Sequence, residues 1–277
     1  MTTQPLSLIV EPDQLQPLLG SPGLLVVDLC KTETYAQAHI PGAIHLDYTQ
    51  IIAANKPVMG LLPDADTLSR LFSAIGLTPD THVVAYDDEG GGRAARLLWT
   101  LDAVGHTQAS LLNGGLHAWL NESHPHENIP VQTSPSNYRA EIDNTSVASP
   151  IATQAFILKH LDDSNVVLLD SRSPEEYRGE KKFAERAGRI PGAINMDWFL
   201  VMDKTNNMRL KPETELRALL EQRNIKPDHT VITYCQTHHR SALTYFVLKS
   251  LGFTNIKGYP GSWSEWGNSE DAPIETG

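Results

Sequence analysis

The sequence is poor in cysteine. Only Cys30 and Cys235 occur in 277 residues, which excludes a disulfide framework and leads us to expect a reducing, cytoplasmic setting. It lacks any apolar run approaching the ~20 residues that a membrane span needs. Its first residues, "MTTQPLSLIVEPDQ", lack the basic n-region and apolar h-region of a secretory signal. Positive charge is also scarce: 22 Lys and Arg face 33 Asp and Glu, for a net charge of −11. That balance argues against nucleic acid or an anionic membrane as partner, and a small anionic substrate would need a locally basic pocket. Zinc-type ligand spacing is missing too. Cys235, His238 and His239 form a C-x2-H-H group with no second ligand pair, so no metal site is expected. What is present fits a globular protein, with 40% hydrophobic and 20% charged residues, long enough for two domains.

The chain repeats itself. "LVVD", ending at Asp28, matches "VLLD", ending at Asp170. "HIPGAIHLD" (His39 to Asp47) matches "RIPGAINMD" (Arg189 to Asp197). "VVAYD" (Val83 to Asp87) matches "VITYC" (Val231 to Cys235), and "NGGLHAW" (Asn113 to Trp119) matches "PGSWSEW" (Pro260 to Trp266). The pieces keep their order, so we expect two homologous domains, 1–124 and 147–277. A linker at 125–146 lies in a Pro-, Ser- and Asn-rich stretch that starts at Asn121. Each half alternates short apolar runs with helical patterns. The expected fold is α/β, each domain a mainly parallel sheet flanked by helices. In the second half the strands are expected at "NVVLLD", "AINMD", "TVITYC" and "NIKGY". Helices are expected at "PETELRALLEQRN" and "SALTYFVLKSLG", the latter with Leu243, Phe246, Val247 and Leu251 on one face and a stop at Gly252.

In such sheets ligands sit beyond the carboxyl ends of the strands, where Asp170 and Cys235 both fall. A tight loop between strand and helix makes an anion cradle, because its N–H groups converge and the helix N-terminus adds positive charge. Such surroundings lower a thiol from its ordinary pKa of about 8.5 to roughly 3.5–7.5 and favour the nucleophilic thiolate. Arg240, four residues beyond Cys235, is suited to holding an anion. The alternative is a buried structural cysteine. The repeat supplies a control. The first half has "DDEGGGR" (Asp87 to Arg93) in place of "CQTHHR", and "DLC" (Asp28 to Cys30) in place of "DSR" (Asp170 to Arg172). A carboxylate cannot carry sulfur, so the first half is expected to be catalytically silent. The second half also inserts eight residues before its "IPGA". These bring Arg178, Lys181, Lys182 and Arg186 ahead of Arg189, the expected local basic patch or, alternatively, a solvated loop.

These residues resemble the rhodanese family over nearly the whole chain, as two tandem rhodanese-like domains. The motifs are "YAQAHIPGA", "DSRSPEEY", "GRIPGA", "GYPGSWSEW" and above all "CQTHHR", which is similar to the loop of bacterial two-domain thiosulfate sulfurtransferases. The resemblance implies one active site, in the C-terminal domain, and no metal or organic cofactor. Cys235 would take the outer sulfur of thiosulfate as a persulfide held by the N–H groups of Gln236, Thr237, His238, His239 and Arg240. Cyanide, a thiol or a protein acceptor would then remove it. Arg240 would orient the loop and counter charge, Arg172 would meet the sulfonate end, Asp170 would brace the loop, and Trp198 would line the pocket or the core. His238 and His239 either select acceptors or simply face solvent. The sequence departs from mammalian-type members, which have a lysine where Thr237 stands and an arginine where Glu176 stands. It also lacks the small neutral loop of mercaptopyruvate-specific relatives. The readings left open are a 3-mercaptopyruvate sulfurtransferase and a persulfide carrier serving a protein partner. A cysteine phosphatase is disfavoured, because its C-x5-R loop is one residue longer than Cys235 to Arg240. A monomer is expected.

Overall fold

The structure is a computed structural model and describes residues 6–144 and 146–277. The chain begins β1 (Ile9–Val10), α1 (Pro12–Leu15), β2 (Leu24–Asp28), α2 (Thr32–Gln37), β3 (Ile44–His45), β4 (Ala53–Asn55) and β5 (Val58–Leu61). It continues α3 (Ala65–Ala74), β6 (His82–Tyr86), α4 (Gly92–Ala103), β7 (Ala109–Leu112) and α5 (Gly115–Asn121). Then come α6 (Gln154–Lys159), β8 (Val166–Asp170), α7 (Pro174–Arg178), β9 (Ile194–Asn195), β10 (Met202–Asp203) and β11 (Arg209–Leu210). The last elements are α8 (Glu213–Glu221), β12 (Thr230–Tyr234), α9 (Arg240–Ser250), β13 (Ile256–Gly258) and α10 (Ser262–Trp266).

The first compact unit comprises Met1–Ile51, Pro63–Ile142 and Met202–Leu210. Its sheet has the order β1-β7-β6-β2-β3, parallel throughout. The second comprises Ile52–Leu62, Asp143–Val201 and Lys211–Gly277. Its sheet has the order β13-β12-β8-β9, also parallel throughout. The expected α/β class with two parallel sheets is therefore found. The contiguous division at 124 and 147 is not how the contacts divide. The β4–β5 hairpin belongs to the second unit and the β10–β11 hairpin to the first. Most of the stretch read as a linker is also fixed to the first unit. Glu127 bridges His39, while Ser136 and Tyr138 donate their N–H groups to Ser73 of α3 and Ala140 donates to Ser69. Polar composition there reflects side chains that face water, not a free backbone.

The central strands are Val-, Ile- and Leu-rich runs because helices cover both faces of a parallel sheet. Val231, Ile232 and Tyr234 of β12 are wholly enclosed. In α9 the face Leu243, Phe246, Val247, Leu251 is buried, but so is every residue from Ser241 to Leu248. The helix is sunk in the unit rather than lying on its surface. It ends before Gly252, which takes a left-handed φ of +87°.

The β4–β5 hairpin positions the corner after β12. Gly60 has φ +78°, and a Cβ there would meet the Thr237 carbonyl oxygen at 2.3 Å. Gly60→Ala is expected to displace the 235–239 loop and to cost about 1–3 kcal/mol of stability, measured by urea unfolding.

Candidate active site

Cys235 lies immediately after β12, fully buried. Helix α10 and its first residue pin the backbone around it. The N–H groups of Trp263 and Ser264 donate to the carbonyls of Cys235 (2.9 Å) and Gln236 (3.0 Å). Ser262 Oγ accepts from the N–H of Cys235 (3.3 Å) and of His238 (3.0 Å), and donates to the Tyr259 carbonyl. With its carbonyls turned toward α10, the loop presents N–H groups to the sulfur. The N–H groups of Thr237 and Ser241 and the Ser241 hydroxyl hydrogen-bond to it. Burial opposes a sulfur anion, but the charge of Arg240 and these hydrogen bonds outweigh it, and the Cys235 thiol ionises below its ordinary range.

Arg240 opens α9 and is held by Glu176. Its two terminal nitrogens donate to the two carboxylate oxygens at 2.7 and 2.9 Å, a bidentate pair that fixes the guanidinium plane. Glu176 is placed by the sequence "SPEE". It closes a capping box at the start of α7, its carboxylate accepting from the N–H of Ser173 while its own N–H donates to Ser173 Oγ. Burial works against its charge, but Arg240 keeps its carboxyl below the usual glutamate range.

The other expected residues are distributed differently. His238 is not solvent-facing: it is fully buried. Its N–H donates to Ser262 Oγ. His239 is half-buried and lies 5.8 Å from the Trp198 ring, so Trp198, itself buried, flanks the loop through His239. The Gln236 side chain donates to the Phe183 carbonyl at 3.0 Å. Arg172 is committed to partners within its own unit. It is 1% exposed, forks onto Asp170 at 2.6–3.0 Å, donates to the Gly188 carbonyl and lies over the Trp263 ring at 4.4 Å. Asp170 also accepts the Arg172 N–H, so the two brace the end of β8 as a buried ion pair.

The inserted basic residues are largely structural as well. Arg178 pairs with Glu180. Arg186 donates to the carbonyls of Trp266 and Ser269, and Arg189 pairs with Glu275 and stacks on Tyr177. Lys181 and Lys182 are exposed. The positive charge at the sulfur comes from Arg240.

The first unit carries the same corner with a carboxylate in place of the sulfur. Asp87 stands at the sulfur's place, and its carboxyl accepts the N–H groups of Glu89, Gly91 and Ala94 at 2.8–3.0 Å. Its cradle is filled by its own chain. Arg93 is tied to Asp88 and Glu89. Cys30, which aligns with Arg172, is buried among Asp28, Asp88 and Asp87, and burial and these charges push its thiol pKa far up.

The residues that sequence reasoning missed are Glu176, Ser241 and Ser262. Each differs from its counterpart in the repeat, which has Thr34, Ala94 and Gly115. A position-by-position comparison of the two halves would have singled them out.

The rhodanese-like domain profile matches residues 11–122 and 153–269. The chain belongs to the rhodanese family. Among known rhodaneses it is 42% identical to a thiosulfate sulfurtransferase of Azotobacter vinelandii, over 98% of this chain and 97% of that one. It is 33% identical to a sulfur carrier protein, TtuD, of Thermus thermophilus, over 97% and 96%. In fold it is similar to an anaerobic ergothioneine biosynthesis enzyme from Chlorobium limicola, with TM-score 0.86 and 21% identity, covering 98% of this chain and 70% of that one. Among the described residues no cluster of three or more His, Cys, Asp or Glu is placed to hold a metal, and no helix is long and apolar enough to cross a membrane.

The bracing role of Arg172 is testable. Arg172→Met would leave the Asp170 carboxylate buried without its partner, and urea unfolding should show a loss of about 3–5 kcal/mol. The KM for thiosulfate of the folded protein should not change, whereas a sulfonate-binding arginine would raise it on removal.

Proposed function

We propose that this rhodanese is a thiosulfate sulfurtransferase working through a persulfide on Cys235, with a catalytic loop, "CQTHHR", of the bacterial two-domain type. The observation that carries this reading is the sulfur's setting: a buried cysteine that accepts hydrogen bonds from Thr237 and Ser241 and faces Arg240. A thiolate so held is a ready nucleophile.

The Cys235 thiolate attacks the outer sulfur of thiosulfate. The bond between the two sulfurs of thiosulfate breaks, sulfite leaves with the electron pair, and a Cys235 persulfide remains. Cyanide carbon then attacks the outer persulfide sulfur, thiocyanate leaves, and the thiolate is regenerated. No metal or organic cofactor is needed. Arg240 is suited to countering the donor's negative charge as it approaches. The loop, with two histidines and an arginine, does not match the small neutral one of mercaptopyruvate-specific relatives, which supports thiosulfate as donor, as does the name of the Azotobacter relative.

A second reading, a persulfide carrier for a protein acceptor, is favoured by one feature. Three large apolar side chains around the loop are exposed: Phe183 at 62%, Phe199 at 40% and Met59 at 39%. Phe183 is bonded to Gln236, Phe199 leans on Trp198, and Met59 is bonded to Ser264. Small ions need no apolar rim, whereas a docked protein buries one.

Mass spectrometry of protein incubated with thiosulfate should show a gain of ~32 Da, one sulfur, at Cys235, removed by cyanide. The same gain in Cys235→Ala would refute the assignment. Steady thiocyanate production by the protein alone supports the enzyme. A stable persulfide discharged to a protein thiol and not to cyanide supports the carrier.

A further inference from the structure

His238 Nδ1 lies 2.8 Å from Ser241 Oγ, and both residues are fully buried. The Ser241 hydroxyl is also the side-chain hydrogen-bond partner of Cys235. A hydroxyl has one hydrogen to give. A thiolate accepts hydrogen bonds and donates none. With the sulfur ionised, Ser241 must therefore point its hydrogen at Cys235, and its oxygen must accept from His238 Nδ1–H. The opposite tautomer of His238 would take the hydroxyl hydrogen for itself and leave the sulfur one hydrogen bond short.

Two further observations single out His238. Its φ is +52°, a left-handed conformation that costs a non-glycine residue energy, and it is held there by its N–H bond to Ser262 Oγ. In the first unit the matching loop has Gly90 and Gly91, with φ +98° and +96°, for which such conformations are free. There Ser241 is replaced by Ala94 and Cys235 by Asp87. Histidine, hydroxyl and sulfur are present together in one half and absent together in the other.

We propose that His238 is a positioning residue for the reacting sulfur: it donates its Nδ1 hydrogen to Ser241 and so fixes the hydroxyl hydrogen of Ser241 on Cys235. This rests on Cys235 being the nucleophile. It goes beyond that reading by assigning a tautomer and a relay. The charged groups around the sulfur are Arg240, with Glu176 paired to it from α7, and the Asp170–Arg172 pair at the end of β8. His239 lies on the Trp198 side of the loop.

The test is the pH profile of Cys235 alkylation by iodoacetamide, followed by peptide mass, in the wild type and four variants. His238→Gly keeps the backbone conformation and removes the donor. His238→Asn tolerates the same φ and keeps an N–H near the Nδ1 position. Ser241→Ala and Ser241→Thr remove and keep the hydroxyl. His238→Gly and Ser241→Ala should each move the midpoint up by about one pH unit, an about tenfold slower alkylation below it. His238→Asn and Ser241→Thr should follow the wild type. A wild-type profile in His238→Gly overturns the proposal. The tautomer is read without any variant, from imidazole nitrogen NMR shifts of the 15N-histidine-labelled protein. A His238 that carries its proton on Nε2 alone, with Cys235 ionised, overturns it as well. Neither readout needs sulfur transfer. Failure of the nucleophile assignment would show separately, as transfer that survives in Cys235→Ser.

Discussion

A sulfur anion out of contact with water is costly unless donors and positive charge converge on it, and the Cys235 corner of the second unit is organised around that constraint. Cys235 is fully buried. Compensation comes from the Arg240 charge, the Ser241 hydroxyl, and the N–H groups of Ser241 and Thr237. Each contribution depends on another element. Arg240 is aimed by Glu176, which is itself set by the capping box of α7. The loop N–H groups face inward because α10 and Ser262 take the carbonyls and the remaining amides. The hydroxyl is oriented, on our proposal, by His238. Bracing of the β8 end falls to a different ion pair, Asp170 with Arg172.

The first unit shows that the cradle does not require sulfur. Its strand, loop and helix are alike, and three loop amides converge on one point, but the Asp87 carboxyl occupies it. The backbone geometry is thus a property of the fold, whereas reactivity depends on what fills the cradle. The same comparison exposes a cost. At this corner the first unit meets its left-handed positions with Gly90, Gly91 and Gly115, while the second places His238 and Ser262 in such conformations. Side chains kept where glycine is the easier choice are held by the hydrogen bonds they make, and both of these bond around Cys235.

Much of this was legible in the sequence because it is carried by local pattern. The duplicated order of motifs indicated two α/β halves. Uninterrupted Val/Ile/Leu runs marked parallel strands covered on both faces, and the replacement of Cys235 by Asp87 marked the corner at which the two halves differ. Charge was misleading because its effect depends on pairing. Arg178, Arg186 and Arg189 were read as part of a basic patch and Arg172 as a sulfonate contact, yet each is engaged by carboxylates or carbonyls of its own unit. The polar stretch that starts at Asn121 looked like a linker, yet part of its backbone is bonded to α3.

By itself, the sequence determined the family, the repeat, the sheet class and the identity of the candidate nucleophile. Each follows from short-range patterning or from residues adjacent in the chain. Tertiary structure alone decided which cation faces the sulfur, that Glu176 holds it, that Ser262 pins the loop from 27 positions away, and that a buried histidine stands behind the serine. Those choices rest on hydrogen bonds a few ångströms long between side chains far apart in sequence. Such bonds are directional and limited by each group's donors and acceptors, so their pairing is set by the folded geometry, which no one-dimensional spacing can show.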